Sequence, residues 1–316
     1  MRFSFFQALG ILSVGALLES CVPFRGGRMA EPEALPLSQR DMQRATAILN
    51  ARRPAGLREW THRKIGDARA LDYAALRWAV LFQSRSAMDV TLVKSAETDR
   101  SKTFEIVAET KGALGKGMAV PVTSDGYFLT ASHCAHRPRL ALVALASDGE
   151  LHCLTPDIVW RGRVEKGEPD LTLIHAPVTP YQTYKLAGFD ELKNGSQIFT
   201  CGNASEKRPV IAYSGGSVTR LGPVMANPPG ARWRPLEHTA ELTPGDSGGP
   251  LIEKHGLVLG INTRASFELG RDKMRHYRGI SVAPDSAWIQ SLIEKHRARH
   301  RAFFFLAGKR ESSGAR

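Results

Sequence analysis

The feature that most restricts this chain is a change of texture at residue 88. From there on the sequence reads as short β-type runs separated by turn residues. Met88–Val93, Thr103–Val107, Gly117–Val122, Tyr127–Thr130, Leu140–Ala146 and Leu171–His175 form one group. Gln197–Cys201, Val210–Tyr213, Ser217–Leu221, Leu251–Glu253, Leu257–Asn262 and Gly279–Val282 form a second. Asp125-Gly126, Asp148-Gly149, Asn194-Gly195 and Gly215-Gly216 supply turn signals between them. Many short strands at even spacing predict an all-β sandwich or barrel arrangement, with residues 177–195 joining two halves. After Pro284, residues 286–299 predict a closing helix. Asp285 is its N-cap, because its carboxylate can accept a bond from a free N–H of the first turn.

Residues 37–84 are rich in Arg, Ala and Leu and predict two helices, about 38–52 and 68–83, with Pro54 ending the first. Residues 22–36 hold Pro23, Gly26, Gly27, Pro32 and Pro36 and read as a linker. Before them, Arg2 and the apolar run Phe3–Leu18 have the order of a secretory signal. Leu18 and Ser20 ahead of Cys21 resemble the lipobox of bacterial lipoproteins, which predicts lipidation of Cys21 and attachment to a membrane of the cell envelope. Ordinary cleavage with secretion and an uncleaved anchor helix are the alternatives, and all three place the rest of the chain outside the cytoplasm. Cys134, Cys153 and Cys201 then remain, enough for one disulfide in any of three pairings.

Charge decides against one class of partner. The net charge is +12, which on its own suggests nucleic acid. Residues 88–290, however, carry 23 Lys/Arg against 22 Asp/Glu. The surplus lies in residues 1–87, with 13 against 7, and in residues 291–316, with 7 against 2. A reading module should carry its own charge, so no nucleic acid is expected. With 42% hydrophobic and 23% charged residues, the 316-residue chain is also no disordered sequence.

Three pieces carry chemistry. Thr130-Ala131-Ser132-His133-Cys134 follows a strand, Asp170-Leu171-Thr172-Leu173-Ile174 opens one, and Gly245-Asp246-Ser247-Gly248-Gly249-Pro250 is a glycine-rich turn. A serine hydroxyl is a weak nucleophile near neutrality and needs a base, and the base needs an orienting group. His133 is the candidate base and Asp170 the group that holds its other ring nitrogen. Ser247 is the candidate nucleophile. The backbone N–H groups of Gly245 and Ser247 are assigned to the oxyanion, which needs donors already aimed at it.

The three pieces, TASHC, DLTLI and GDSGGP, with spacings of 37 and 77 residues between His133, Asp170 and Ser247, resemble the trypsin/chymotrypsin-type serine peptidases. Gly117-Met118-Ala119-Val120, Leu192-Lys193-Asn194-Gly195, Cys201-Gly202-Asn203, Gly260-Ile261-Asn262-Thr263 and Gly279–Pro284 make the chain similar to the bacterial HtrA/Deg-type members in particular. The resemblance covers roughly residues 88–293. It implies two six-stranded antiparallel β-barrels, about 88–178 and 190–284, with a triad in the cleft between them, and hydrolysis of peptide bonds through an acyl-enzyme. Residues 37–87 are then a small helical N-terminal segment and 294–316 a basic tail. Only 23 residues follow residue 293, too few for a PDZ domain, so a PDZ-regulated form is not expected. The resemblance also places Glu241, six residues before Ser247, near the floor of the specificity pocket. There it would favour a basic substrate side chain or else point away. Thr263, Arg264 and Ala265 would form the edge that pairs with substrate backbone, and Arg264 could instead fill part of the pocket.

The partner expected is a protein or peptide substrate. No metal or other cofactor is expected, because His133, Cys134, His136, His152 and Cys153 follow no familiar zinc spacing. Phe303-Phe304-Phe305-Leu306, among basic residues, would touch a membrane surface, pack on the barrel or belong to a frayed end. The other function class is a degenerate peptidase fold that only binds peptide or protein.

Overall fold

A computed structural model describes residues 35–36, 74, 77–86, 89–94, 106–111, 113, 115–148, 150–202, 212–242, 244–253, 255–269 and 274–313. The expected targeting segment with Cys21, the first expected helix and half of the second lie outside the described residues, as do the side chains of Phe303–Leu306.

Eighteen strands appear among the described residues. In the first half they are β1 (Leu35–Pro36), β2 (Ala79–Ser84), β3 (Asp89–Lys94), β4 (Ile106–Lys111), β5 (Gly115–Met118), β6 (Val120–Pro121), β7 (Tyr127–Thr130), β8 (Arg139–Leu145), β9 (Glu150–Leu154), β10 (Asp157–Arg161) and β11 (Thr172–His175). In the second they are β12 (Lys185–Leu186), β13 (Gln197–Gly202), β14 (Ala212–Leu221), β15 (Trp233–His238), β16 (Pro250–Glu253), β17 (Leu257–Leu269) and β18 (Met274–Pro284). A single long helix, α1 (Ser286–Ser313), ends the described chain.

The strands close into two six-stranded antiparallel barrels. In the second barrel, β17, β16, β13, β14, β15 and β18 pair in that order, and β18 pairs back onto β17. In the first, β8, β2 and β5 form one sheet edge and β6, β7, β11 and β10 the other. Two bent strands join them: β5 runs into β6 across Ala119, and β9 into β10 across Thr155-Pro156. Since β9 pairs with β8, the ring closes.

Alternate faces of these strands enter different cores. Ala79, Leu81, Leu140, Leu142, Phe128 and Ile174 fill the first barrel. Val80, Phe82, Val143, Leu129 and Leu173 face out of it and pack with Phe199, Ile252 and Ile261 of the second barrel and with Trp288, Ile289 and Ile293 of α1. Ile198, Val218, Leu236, Leu251 and Leu259 fill the second barrel. All six residues of β2 are buried, so its sequence carries no alternation. That explains one correction: 79–83, expected as the end of a helix, belongs to the barrel strand Ala79–Ser84, in register with β5 and β8. A second correction follows. The Met88 and Thr103 runs do form strands, but β3 and β4 pair only with each other and are not barrel staves. A third concerns Gly215-Gly216, which lies inside β14 opposite Phe199 and Ile198, not in a turn. A Cβ at Gly216 would strike the backbone of Ala240, so the glycine makes room for a close approach.

The helix begins as expected. The N–H groups of Ala287 and Trp288 donate to Asp285 Oδ1 at 2.9 and 3.1 Å. Trp288 then meets Trp160 of β10 edge-on at 5.0 Å. Thus α1 lies against the first barrel, although it follows the last strand of the second.

Candidate active site

His133 and Asp170 arrive on neighbouring strands. Strand β7 pairs with β11 so that Thr130 faces Thr172. His133 follows Thr130 by three residues in a 3-10 turn, Ser132–Cys134, and Asp170 precedes Thr172 by two. One strand pair therefore delivers both groups at the same end. His133 Nδ1 lies 2.8 Å from Asp170 Oδ2, and the His133 backbone N–H donates to Asp170 Oδ1 at 3.0 Å. The carboxylate holds the ring and its backbone together, which leaves Nε2 pointing to other partners.

Further bonds fix this turn. Ser132 Oγ donates to the Leu171 carbonyl at 2.7 Å and lies 3.1 Å from Thr172 Oγ1. Thr130 Oγ1 donates to the Met118 carbonyl at 2.7 Å. Gln83 Nε2 donates to the His133 carbonyl at 2.8 Å, while Gln83 Oε1 accepts the Arg137 N–H at 3.3 Å. Gln83 sits on the strand whose apolar run reads as helix, so sequence reasoning missed it. A polar residue closing the apolar run Ala79–Phe82 was the available signal.

Ser247 comes from the turn between β15 and β16. Gly245 and Gly248 in this turn have φ of 99° and 82°, values that glycine adopts without strain. The turn is tied to the first barrel, because the Met118 N–H donates to the Ser247 carbonyl at 2.7 Å. It is tied to the second through Gly248 N–H on the Asn262 carbonyl and Asn262 N–H on the Gly249 carbonyl, at 2.7 and 2.8 Å. The Ser247 hydroxyl donates to the Thr263 carbonyl at 3.2 Å. The structure thus brings His133 and Asp170 into contact, and it aims the Ser247 hydroxyl at β17.

Behind Ser247, polar side chains form a buried chain. Asn262 Nδ2 donates to Thr200 Oγ1 and Ser281 Oγ to Asn262 Oδ1, the latter at 2.8 Å, and His238 Nε2 lies 3.0 Å from Ser281 Oγ. None of these four was singled out as polar core from the sequence. Thr263 is buried, and its Oγ1 donates to the Ile280 carbonyl at 3.0 Å. Arg264 is exposed and Ala265 half-buried on β17. Glu241 is exposed, its backbone N–H donating to Ser214 Oγ at 2.9 Å.

The electrostatics follow from the contacts. Burial alone would lower the pKa of the His133 ring. The Cys134 sulfur and the Asp170 carboxylate outweigh it and hold the protonated ring above the ordinary histidine range. Burial would raise Asp170, but its bonds to His133 win and its pKa is lowered. Cys134, Cys153 and Cys201 are free thiols. Cys134 is buried with its Sγ 3.7 Å from the Ser247 carbonyl oxygen, and burial pushes the Cys153 thiol up to about 11. Among the described residues, no group of three or more His, Cys, Asp or Glu is arranged to hold a metal ion. No described helix is long and apolar enough to cross a membrane.

Residues 115–261 match the family described as trypsin-like peptidase domain. A probable periplasmic serine endoprotease, DegP-like, of Pseudomonas fulva is 27% identical over 177 residues, covering 54% of this chain and 32% of that protein. The corresponding protein of Pseudomonas putida is 25% identical over 179 residues, with the same coverage of 54% and 32%. The chain therefore spans about a third of the length of these curated relatives. Among solved structures, the HtrA-type protease AlgW with decapeptide is similar at a TM-score of 0.49 and 21% identity, over 72% of this chain and 67% of that one. Deg5 is similar at a TM-score of 0.41 and 18% identity, over 59% and 78%.

Proposed function

We propose that this chain, whose residues 115–261 match the family described as trypsin-like peptidase domain, is a serine endopeptidase that works through Ser247, His133 and Asp170. The observation that carries the reading is the double clamp of Asp170 on His133, ring and backbone, at 2.8 and 3.0 Å. A carboxylate placed so fixes the tautomer in which Nε2 has a free lone pair, the one a general base needs.

The steps follow from these roles. With substrate seated, the Ser247 side chain turns from the Thr263 carbonyl toward His133 Nε2. Its oxygen attacks the peptide carbonyl while Nε2 takes the proton, and Asp170 stabilises the imidazolium. The oxyanion is received by the N–H groups of Gly245 and Ser247. The tetrahedral species collapses, Nε2 returns the proton to the leaving amine, and an acyl-enzyme remains on Ser247. Water, deprotonated by the same nitrogen, then releases the acid. Thr263, Arg264 and Ala265 offer backbone to an extended peptide beside Ser247. Glu241 and Arg264, both exposed, are the charged side chains that substrate would meet.

We place the protein in the bacterial cell envelope, held by a lipid on Cys21, with a linker that ends where Leu35–Pro36 pairs with β9, and a peptidase unit reaching to about residue 293. The signal-like N-terminus supports this placement, and the curated relatives are named as periplasmic.

One observation favours a second reading, a peptidase fold that binds peptide without cutting it: the Ser247 hydroxyl is bonded to Thr263 and not to His133. A fluorophosphonate probe decides. Labelling of the wild type that vanishes in Ser247→Ala supports the peptidase. Absence of labelling in folded wild type, together with peptide binding, supports the binder.

A further inference from the structure

The strand pair that delivers His133 and Asp170 has an opposite end. There Tyr127 of β7 faces His175 of β11, and α1 lays His296 and His300 over them. The rings form one cluster. Tyr127 and His175 are 4.6 Å apart between centroids, His175 and His296 5.4 Å, His296 and His300 4.4 Å, and His175 and His300 6.1 Å. Tyr127 Oη lies 2.9 Å from His296 Nδ1, and His175 Nε2 lies 3.0 Å from the Asp125 carbonyl. His296 is buried, His175 half-buried and His300 exposed, at an open cleft of about 500 Å³. The site described above uses none of these residues.

The charges around the cluster are few. Arg297 of α1 donates twice to Asp125, at 2.8 and 2.9 Å, and once to Glu294 at 3.1 Å. Asp157 of β10 is the register partner of His175, and Arg299 of α1 acts on His296 electrostatically. Three carboxylates against two guanidiniums leave a balance of −1 with neutral rings. One proton on the rings cancels that balance. A proton on His296 sets a positive ring with its centroid 4.4 Å from that of His300 and 5.4 Å from that of His175.

We propose that this cluster is an acid-sensitive latch. Neutral imidazoles hold α1 on the first barrel, and their protonation releases the helix from the strand pair that carries His133 and Asp170 at its other end. The direction of the titration agrees. Burial, then the neighbouring His300 and His175 and after them Arg299, lowers the pKa of His296, with only Asp157 raising it. A histidine lowered in the docked state favours docking above its unperturbed pKa of about 6.5 and loses that favour as pH falls below it. At four residues, β7 and β11 span only about 13 Å from latch to dyad. Loss of the helix thus reaches the turn of His133 through one short pair of strands.

Amide hydrogen exchange of the full chain at pH 7.5 and pH 5, corrected for the chemical exchange rate, tests the latch. Exchange in residues 288–300 should quicken at least tenfold at pH 5, with a smaller rise in 127–130 and 172–175 and none in β13 and β14. The variant His296→Gln/His300→Gln should lose this acid response. If it fails to fold, His300→Gln, at an exposed position, should lower the pH of the transition on its own. Equal helix protection at both pH values overturns the proposal. So does an acid response unchanged by the substitutions, or one spread evenly over both barrels. The readout needs no peptidase activity, so a failed latch and a failed peptidase assignment are told apart.

Discussion

The two barrels reach closure in different ways. The second is one unbroken ring, sealed by the long hairpin of β17 and β18, and its interior is isolated from the rest of the molecule. The first is stitched from two sheets by strands that bend at Ala119 and at Thr155-Pro156, and α1 is laid over its outer face. The candidate groups divide along the same line. The proposed base and its orienting acid sit on the stitched barrel, whereas the proposed nucleophile and peptide-pairing edge sit on the sealed one. A proton carrier must be oriented but also exchange its proton, and His133 keeps 44% of its side-chain surface exposed. The nucleophile has to stand still, and its turn is anchored in both barrels. The comparison teaches that the serine turn is tied into both barrels, whereas the His–Asp pair is held by bonds from its own barrel alone.

Perturbations on the two sides should therefore differ in size and kind. Ser247→Ala should lower kcat by about 10⁶-fold and abolish fluorophosphonate labelling without moving Tm. Residual turnover near that of wild type would end the assignment of the nucleophile. Asp170→Asn should cost about 10⁴-fold in kcat, because the ring loses its fixed tautomer. The same variant sharpens the pH argument. A base held above the ordinary histidine range is protonated over more of the acid side, so kcat/KM should fall with decreasing pH from a limb lying above about 6.5. In Asp170→Asn that limb should move down, and an unmoved limb would show that Asp170 does not set it. Trp288→Ala, which strips the main anchor of α1, should cost about 3–5 kcal/mol of stability by denaturant titration. Its effect should be felt in the first barrel. Gln83→Ala leaves the His133 carbonyl without its side-chain donor and should cost about 1–3 kcal/mol. Asn262→Ala should cost about the same in the sealed barrel. The Gln83 variant should also slow turnover severalfold, and equal kinetic effects from the two would break the division drawn here.

Much of this was readable in the chain. Tyr127–Thr130 has the same bounds in sequence and structure, since four apolar or hydroxylated β-formers are closed off by the turn at Gly126. Asp285 caps α1 as its carboxylate chemistry dictates. His133 and Asp170 lie 2.8 Å apart, the contact that the chemistry of a base and the resemblance implied. What escaped was burial on two faces. Ala79–Ser84 packs one side into its barrel and the other against the interbarrel core, so the alternation that marks a strand is erased. Strand β15, Trp-Arg-Pro-Leu-Glu-His, escaped for the opposite reason. It mixes charged and apolar residues of which only Leu236 and His238 are fully buried, and Glu237 is paired with Arg220 and Arg278 across the sheet. The extent of α1 to Ser313 and its docking on the first barrel also had no local signal, because a partner thirty or more positions away leaves no mark on a helix's own periodicity.

The bond from the Met118 N–H to the Ser247 carbonyl has one more consequence. Beside it, Gly117 is packed so closely on Cys134 and on the same carbonyl that a methyl group there would collide with both. This seam is written in main chain and glycine, not in interchangeable side chains. A hybrid enzyme that borrowed one half from a relative would inherit the serine's position only if the donor's strand met the turn with the same spacing. Exchange of halves in such a chain is thus governed less by the hydrophobic surfaces brought together than by two peptide groups that have to stay in register.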